Sequence, residues 1–245
     1  MDSASKKQGS LEEFQYEIFT TADGSPTLCM PSQNSEYMHH RDGALTESLY
    51  IYGAALAGCP QPHPSVLSVG LGLGYNELIS IAYALKHEKE ANLRIRSFEI
   101  EYHLRQQFLL WLKGEETPQF GNEVYDSILN MVAKEFELLP GLIKEQLLSM
   151  YQDGSWILDE ALSNSTLFES KFNCILFDAF SKGTTPDLWD EEFLIDFIAK
   201  AATEKCVLTT YAATGALTRA LKRNGFEVDL KKGFSGKRQS TIAFR

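Results

Sequence analysis

The chain has 245 residues, 44% of them hydrophobic, which suffices for one substantial core and fits a single α/β domain with or without an added lobe. Its net charge of −10 argues against a protein that simply coats nucleic acid, since a uniformly acidic surface repels phosphate. Cys29, Cys59, Cys174 and Cys206 are scattered, with no CxxC and no paired histidine spacing of the zinc type, and read as reduced thiols.

Residues 1–10 are polar, read as disordered, and contain no apolar core like that of a secretory signal. No later segment approaches the roughly 18 uninterrupted apolar residues of a membrane span, so a soluble, cytoplasmic chain with no membrane contact is expected. Between Leu11 and Tyr37, "YEIFTTADGSPTLCM", broken at Asp23-Gly24, predicts a small hairpin. "GALTESLYIYGAALAG", Gly43 to Gly58, has helical spacing and stops at a glycine with Pro60 beyond it. Residues 1–60 are thus expected to form an N-terminal extension, hairpin plus helix, packed on a main domain at 61–245.

From Ser65 the pattern alternates. Ser65 to Val69 is a strand, Asn76 to Lys86 a helix, "LRIRSFEI" a strand and Tyr102 to Lys113 a helix. The stretch from about 114 to 154 is helical and too long for an ordinary connection, so it is expected to be an inserted helical lid. "SWIL" and "FNCILFDAF" are strands, Asp187 to Thr203 a helix, "CVLTTYA" a strand and Thr214 to Asn224 a helix. "FEVDLKK" and "QSTIAF" close as an antiparallel hairpin, which brings the main domain to seven strands. Such alternation implies an α/β fold with a mostly parallel sheet and helices on both faces. Charge is unevenly spread: residues 215–245 hold eight Lys/Arg against Glu227 and Asp229, a net +6 that leaves −16 on the remainder. A basic end on an acidic body can still dock RNA locally, or can be a solvated edge.

In "SVLSVGLGLGYNELISIA", Gly70, Gly72 and Gly74 fall where the first strand turns into its helix, the place at which ligands lie on the backbone in this class of sheet. The pattern is GxGxG and lacks the last glycine of the dinucleotide fingerprint, and no GK[ST] marks a P-loop. About 25 residues on, Glu99 ends the next strand, where an acid can accept both hydroxyls of a ribose. Asp159 ends the third strand; it can accept an adenine amino group or cap the helical stretch "DEAL". A nucleoside cofactor without a pyrophosphate motif suggests S-adenosylmethionine, whose positive sulfonium suits acidic neighbours. At the end of the fourth strand, Asp178 stands where it can orient an amine toward the methyl donor or cap the turn. Phe180 and Trp189 can stack on a planar base, or Trp189 can be core.

These motifs together resemble a known family: the methyltransferase domain of the bacterial bifunctional protein that makes 5-methylaminomethyl-2-thiouridine in tRNA, with its stand-alone relatives. "GLGLGYN" is similar to the family's G-[FL]-G-x-G-x-N, and Ser97-Phe98-Glu99 to its S-F-E. "DAFSKGTTPDLW" keeps Asp178, Phe180, Pro186 and Trp189 of its D-[GA]-F-[AS]-P-x-x-N-P-x-x-W, and "KGFSGKR" resembles its closing K-G-F-G-x-K-R. "SEYMHHRDGALTES" resembles a lead-in that borders the cofactor pocket, with His39 and Glu47 at its edge. The likeness runs from about Asp23 to Phe244 outside the insertion. It departs at Lys182, Thr185 and Gly236, which touches substrate detail more than cofactor binding.

The resemblance implies a Rossmann-like class I S-adenosylmethionine-dependent methyltransferase, with Gly70, Gly72, Gly74, Asn76, Glu99, Asp159 and Asp178 at the cofactor. Asp178 would orient the amine of 5-aminomethyl(-2-thio)uridine at the tRNA wobble position. Phe180, Pro186, Trp189 and Tyr211 would face the base, and Lys237 and Arg238 the anticodon-loop phosphates. The family's flavin-dependent oxidase half is expected to be missing here, so a separate enzyme would supply the aminomethyl group. Two rivals stay open: a spermidine-synthase-like aminopropyltransferase or small-molecule methyltransferase, and a non-catalytic cofactor-binding subunit.

Overall fold

The computed structural model describes residues 16–30, 36–236 and 239–245. A hairpin of β1 (Glu17–Thr20) and β2 (Pro26–Met30), extended by β3 (Glu36–Tyr37), forms a small antiparallel sheet. Its turn is organised by Asp23, whose Oδ1 accepts from the Ser25 N–H at 2.9 Å and the Thr21 hydroxyl at 2.7 Å. The other oxygen of Asp23 accepts from the Thr46 N–H and hydroxyl at 3.1 and 2.9 Å, tying the hairpin to the first turn of α1 (Ala44–Ser48). The helix expected at Gly43 to Gly58 is present but widened in its middle: α1 runs into a π turn, Leu49–Gly53, and on into α2 (Ala54–Ala57).

The main sheet comprises β4 (Ser65–Val69), β5 (Arg94–Phe98), β6 (Trp156–Asp159), β7 (Phe172–Phe177), β8 (Ala202–Thr210), β9 (Glu227–Lys232) and β10 (Gln239–Phe244). Their order is β6-β5-β4-β7-β8-β10-β9; the first five are parallel, and β10 pairs antiparallel with both β8 and β9. All six residues of β7 are buried, as expected of a central strand covered on both faces. The period of two distributes side chains between two cores: Val66, Ile95 and Cys174 face one, Leu67, Phe98 and Ile175 the other. Helices α3 (Tyr75–Lys86), α4 (Tyr102–Leu112), α5 (Asn122–Phe136) and α6 (Pro140–Asp153) fill the first, and α7 (Glu191–Ala201) and α8 (Gly215–Arg223) the second.

Two expectations need correction. The segment about 114–154 is helical, but α5 and α6 are not a lid. Tyr125, Ile128, Val132, Ile143 and Leu147 are fully buried in the first core, and α5 and α6 pack on α3. The helix expected from Asp187 starts instead at Glu191, because the Asp190 carboxylate accepts from the Glu192 and Phe193 N–H groups and caps it. Pro186–Trp189 forms a separate 3₁₀ turn, and Thr203 belongs to β8. Among the described residues no helix is long and apolar enough to cross a membrane.

Candidate active site

The strand order reverses at β4, since the chain builds outward through β5 and β6 and then returns to lay β7 on the other side. At the carboxyl ends of these strands lies a cavity of about 430 Å³, in the range of small-molecule sites.

The glycine loop forms one wall, and its three glycines differ. Leu71 and Leu73 between them are buried and anchor the loop to the first core, while Gly70, Gly72 and Gly74 hold φ of 94°, 53° and 84°. A Cβ on Gly70 would lie 2.5 Å from the Asp178 carbonyl oxygen, and one on Gly74 would lie 2.0 Å from the Phe108 ring. At Gly72 the nearest neighbour is the Met38 sulfur at 3.4 Å. Gly70 and Gly72 line the cavity; Gly74 does not, and its bare Cα makes room for α4 rather than for a ligand.

Glu99, 4% exposed, lines the cavity just beyond β5. Its Oε2 accepts from the Gly72 N–H and its Oε1 from the Glu101 N–H, both at 2.9 Å, so the carboxylate is held with one lone pair per oxygen left for a diol. Burial pushes its pKa up, against the pull of those two donors. Asp159 is not in the cavity. It ion-pairs at 2.6 Å with Arg96, its diagonal neighbour on β5, because the edge strand presents that face to solvent and cation. Glu160, Ala161 and Leu162 line the wall in its place.

Asp178 lies at the end of β7, its N–H donating to the Val69 carbonyl at 2.8 Å. One carboxylate oxygen accepts from the Tyr52 hydroxyl at 2.5 Å, and the other from the Asn76 side-chain N–H at 3.1 Å. Two neutral donors thus fix the plane of the carboxylate. Burial, then the Asp178 charge, raises the Tyr52 phenol well above its ordinary pKa, so it stays a donor. The side-chain oxygen of Asn76 is buried without a hydrogen-bond partner.

Phe180, Pro186 and Tyr211 line the mouth, with the Tyr211 hydroxyl donating to the Ala179 carbonyl at 3.0 Å. Trp189 does not: it is 1% exposed, edge-on to Phe177, and its indole N–H donates to the Phe180 carbonyl at 2.6 Å. Its large apolar surface is worth more in the core, so it shapes the Phe180 loop instead of stacking on a base. Lys237 and Arg238 lie outside the described residues. His39 lines the cavity while its Nδ1 shares a hydrogen bond with Thr27 Oγ1 at 3.0 Å, and Glu47 lines it with Oε2 accepting from the His40 N–H at 2.6 Å. Tyr52 and Glu160 had no signal in the sequence that marked them as site residues, whereas Met38 lies in the lead-in segment that resembles a border of the cofactor pocket. A tyrosine in a helical stretch carries no sign of the π turn that turns it inward.

Residues 150–245 match a family model described as S-adenosyl-L-methionine-dependent methyltransferase. Over 98% of its length the chain is 26% identical to uncharacterized protein MJ0670 of Methanocaldococcus jannaschii. Over 89% it is 26% identical to the tRNA 5-methylaminomethyl-2-thiouridine biosynthesis bifunctional protein MnmC of Azoarcus sp.. The chain spans 63% of the first relative and 33% of the second. Among solved structures, MnmC2 from Aquifex aeolicus superposes with a TM-score of 0.62 at 27% identity, covering 95% of this chain and 71% of that one.

The residues present fit the cofactor that these matches imply. The orphaned oxygen of Asn76 is an acceptor awaiting a donor, which an ammonium or hydroxyl group of S-adenosylmethionine provides, and Gly72 leaves the backbone open beside Glu99. The sheet that reverses at β4, the match over residues 150–245 and the likeness to MnmC2 over 95% of this chain agree on one fold, that of the class I S-adenosylmethionine-dependent methyltransferases, and the chain is similar in sequence to the MnmC proteins.

Proposed function

We propose that the chain methylates the primary amine of 5-aminomethyl(-2-thio)uridine at the wobble position of tRNA, giving the 5-methylaminomethyl form. The observation that carries this reading is Asp178, fixed between Tyr52 and Asn76 in the cavity of a protein whose relatives are named for that modification. When bound, S-adenosylmethionine supplies an electrophilic methyl group. Glu99 would accept from its sugar hydroxyls beside the Gly72 N–H that holds it. Asp178 accepts from the amine of the substrate, orients it and takes the proton the ammonium must shed before its lone pair bonds the methyl carbon, with S-adenosylhomocysteine as leaving group; Phe180, Pro186 and Tyr211 exclude water around the base. The gain is chiefly one of positioning.

The turn between β9 and β10 supports the tRNA side. It is strapped beside the cavity: the Tyr50 hydroxyl donates to the Lys232 carbonyl at 2.7 Å, Phe234 stands edge-on to the His40 ring, and the Ser235 hydroxyl donates to Asp42. Lys231 and Lys232 of β9, with Lys237 and Arg238, would meet anticodon-loop phosphates there. A separate enzyme would make the aminomethyl group.

Methyl transfer to tRNA carrying the unmethylated nucleoside tests the reading, with putrescine and the decarboxylated cofactor as the rival pair. Turnover on tRNA and none on putrescine is expected. Asp178→Ala should abolish turnover and leave binding of S-adenosylhomocysteine within a few-fold. Unchanged turnover would remove Asp178 from the mechanism.

A further inference from the structure

We infer that Arg41 is a phosphate contact for the tRNA backbone at the N-terminal rim of the cavity, so that RNA is held there as well as at the turn between β9 and β10. This rests on the tRNA reading proposed above and adds a second point of attachment to it.

Arg41 is exposed, and its guanidinium carbon lies 4.9 Å from the Phe19 ring centroid and 4.8 Å from that of Tyr37. The two rings, one on β1 and one on β3, meet edge to face with centroids 5.2 Å apart. Attraction to the rings holds the cation in place. Among the described residues no carboxylate, carbonyl or hydroxyl engages it, so its N–H donors are positioned and unspent. Arg96, Arg105, Arg219 and Arg245 differ: each spends its donors on carboxylates or carbonyls.

The backbone sets where Arg41 stands. The Ala22 N–H donates to the Arg41 carbonyl at 2.9 Å and the Asp23 N–H to the Asp42 carbonyl at 3.1 Å, which fastens both residues to the hairpin turn. Just before them Tyr37, Met38 and His39 line the cavity, while His40 meets Phe234 edge-on. The Asp42 carboxylate is turned to Ser235 and lies 3.6 Å from His40 Nδ1, so the acid next in sequence does not neutralise Arg41. Arg41 thus belongs to one short segment that touches both the cavity and the β9–β10 turn. Among the described residues no Lys or Arg lines the cavity itself. A nucleoside that enters it from a tRNA loop carries a phosphodiester on each side, and those charges must be met at the rim. A planar guanidinium held beside the entrance offers paired N–H donors to phosphate oxygens.

Equilibrium binding of undermodified tRNA across salt concentrations tests this without turnover. Arg41→Gln, which keeps a planar polar end but not the charge, should weaken binding and lower the slope of log affinity against log salt by about 0.7–1. The loss should be equal for tRNAs that differ in anticodon-loop sequence, since a phosphate contact reads no base. Arg41→Lys retains the charge and should keep the native slope. Both variants should bind S-adenosylhomocysteine as the native protein does. An Arg41→Gln protein with the native slope, or with a loss confined to one loop sequence, overturns the inference and leaves the tRNA reading standing. A parallel fall in S-adenosylhomocysteine affinity would assign Arg41 to the fold and overturn it too. If the native protein shows no salt-dependent binding of tRNA, that reading fails and the inference with it.

Discussion

Glu77 is buried in the first turn of α3, with its Oε1 accepting from the Ser97 hydroxyl at 2.7 Å, and Ser97 accepts in turn from the Trp156 indole at 3.0 Å. Burial, only partly offset by these hydrogen bonds, pushes its pKa from 4.5 up to about 7. A value raised in the folded state means that the folded protein holds a proton the unfolded chain has released. Stability therefore falls as pH rises from about 4.5 to about 7 and stays lowered above that. Glu77→Gln should be more stable than the native chain at pH 8, with the difference closing below about pH 4.5; urea unfolding across pH checks it. A constant difference at every pH would show that folding does not shift the titration of this carboxyl. The same scale shows the limits of a motif. Gly70, Gly72 and Gly74 were visible as a ligand loop, yet only a structure separates Gly72, open beside Glu99, from Gly74, which accommodates Phe108.

Among the elements, α5 and α6 are the least expected in their placement. Their length was legible as helix, but a lid and a core layer have the same local pattern, an apolar stripe with polar flanks. What decides between them is the partner surface, and α3 provides it. Leu147, fully buried on α6, is away from the cavity lining. Leu147→Ala should cost about 2–5 kcal/mol in denaturant unfolding. Its affinity for S-adenosylhomocysteine at 25 °C should match the native protein's, and a large loss of affinity would give the helical layer a part in cofactor binding. The helix at Gly43–Gly58 shows the converse: its ends are marked by glycine and proline, whereas the π turn inside it has no local signature and turns Tyr52 to Asp178 across the cavity.

For the molecule as a whole, charge and site are arranged in opposition. The basic excess in residues 215–245 is smaller in effect than its count. Arg219 pairs with Glu191 at 2.6 Å, and Arg245 spends its guanidinium on the carbonyls of Ala202, Thr203 and Asn224. Lys231 and Lys232 lead into the turn fastened beside the cavity. Replacing both with Ala should weaken tRNA binding and lower the slope of log affinity against log salt by about 2, without touching cofactor affinity. An unchanged slope would mean that Lys231 and Lys232 meet no phosphate.

Residue order by itself determined the strands, most helices and the placement of Gly70, Glu99 and Asp178 at strand ends, because apolar period, caps and turn residues act over a few neighbours. It could not decide where side chains at those ends point. Asp159 turned to Arg96 and Tyr52 swung in to Asp178, each drawn by a partner far away in the chain, and Trp189 sank into the core behind Phe180. Burial and pairing across the fold are long-range quantities, and only the tertiary structure sets them.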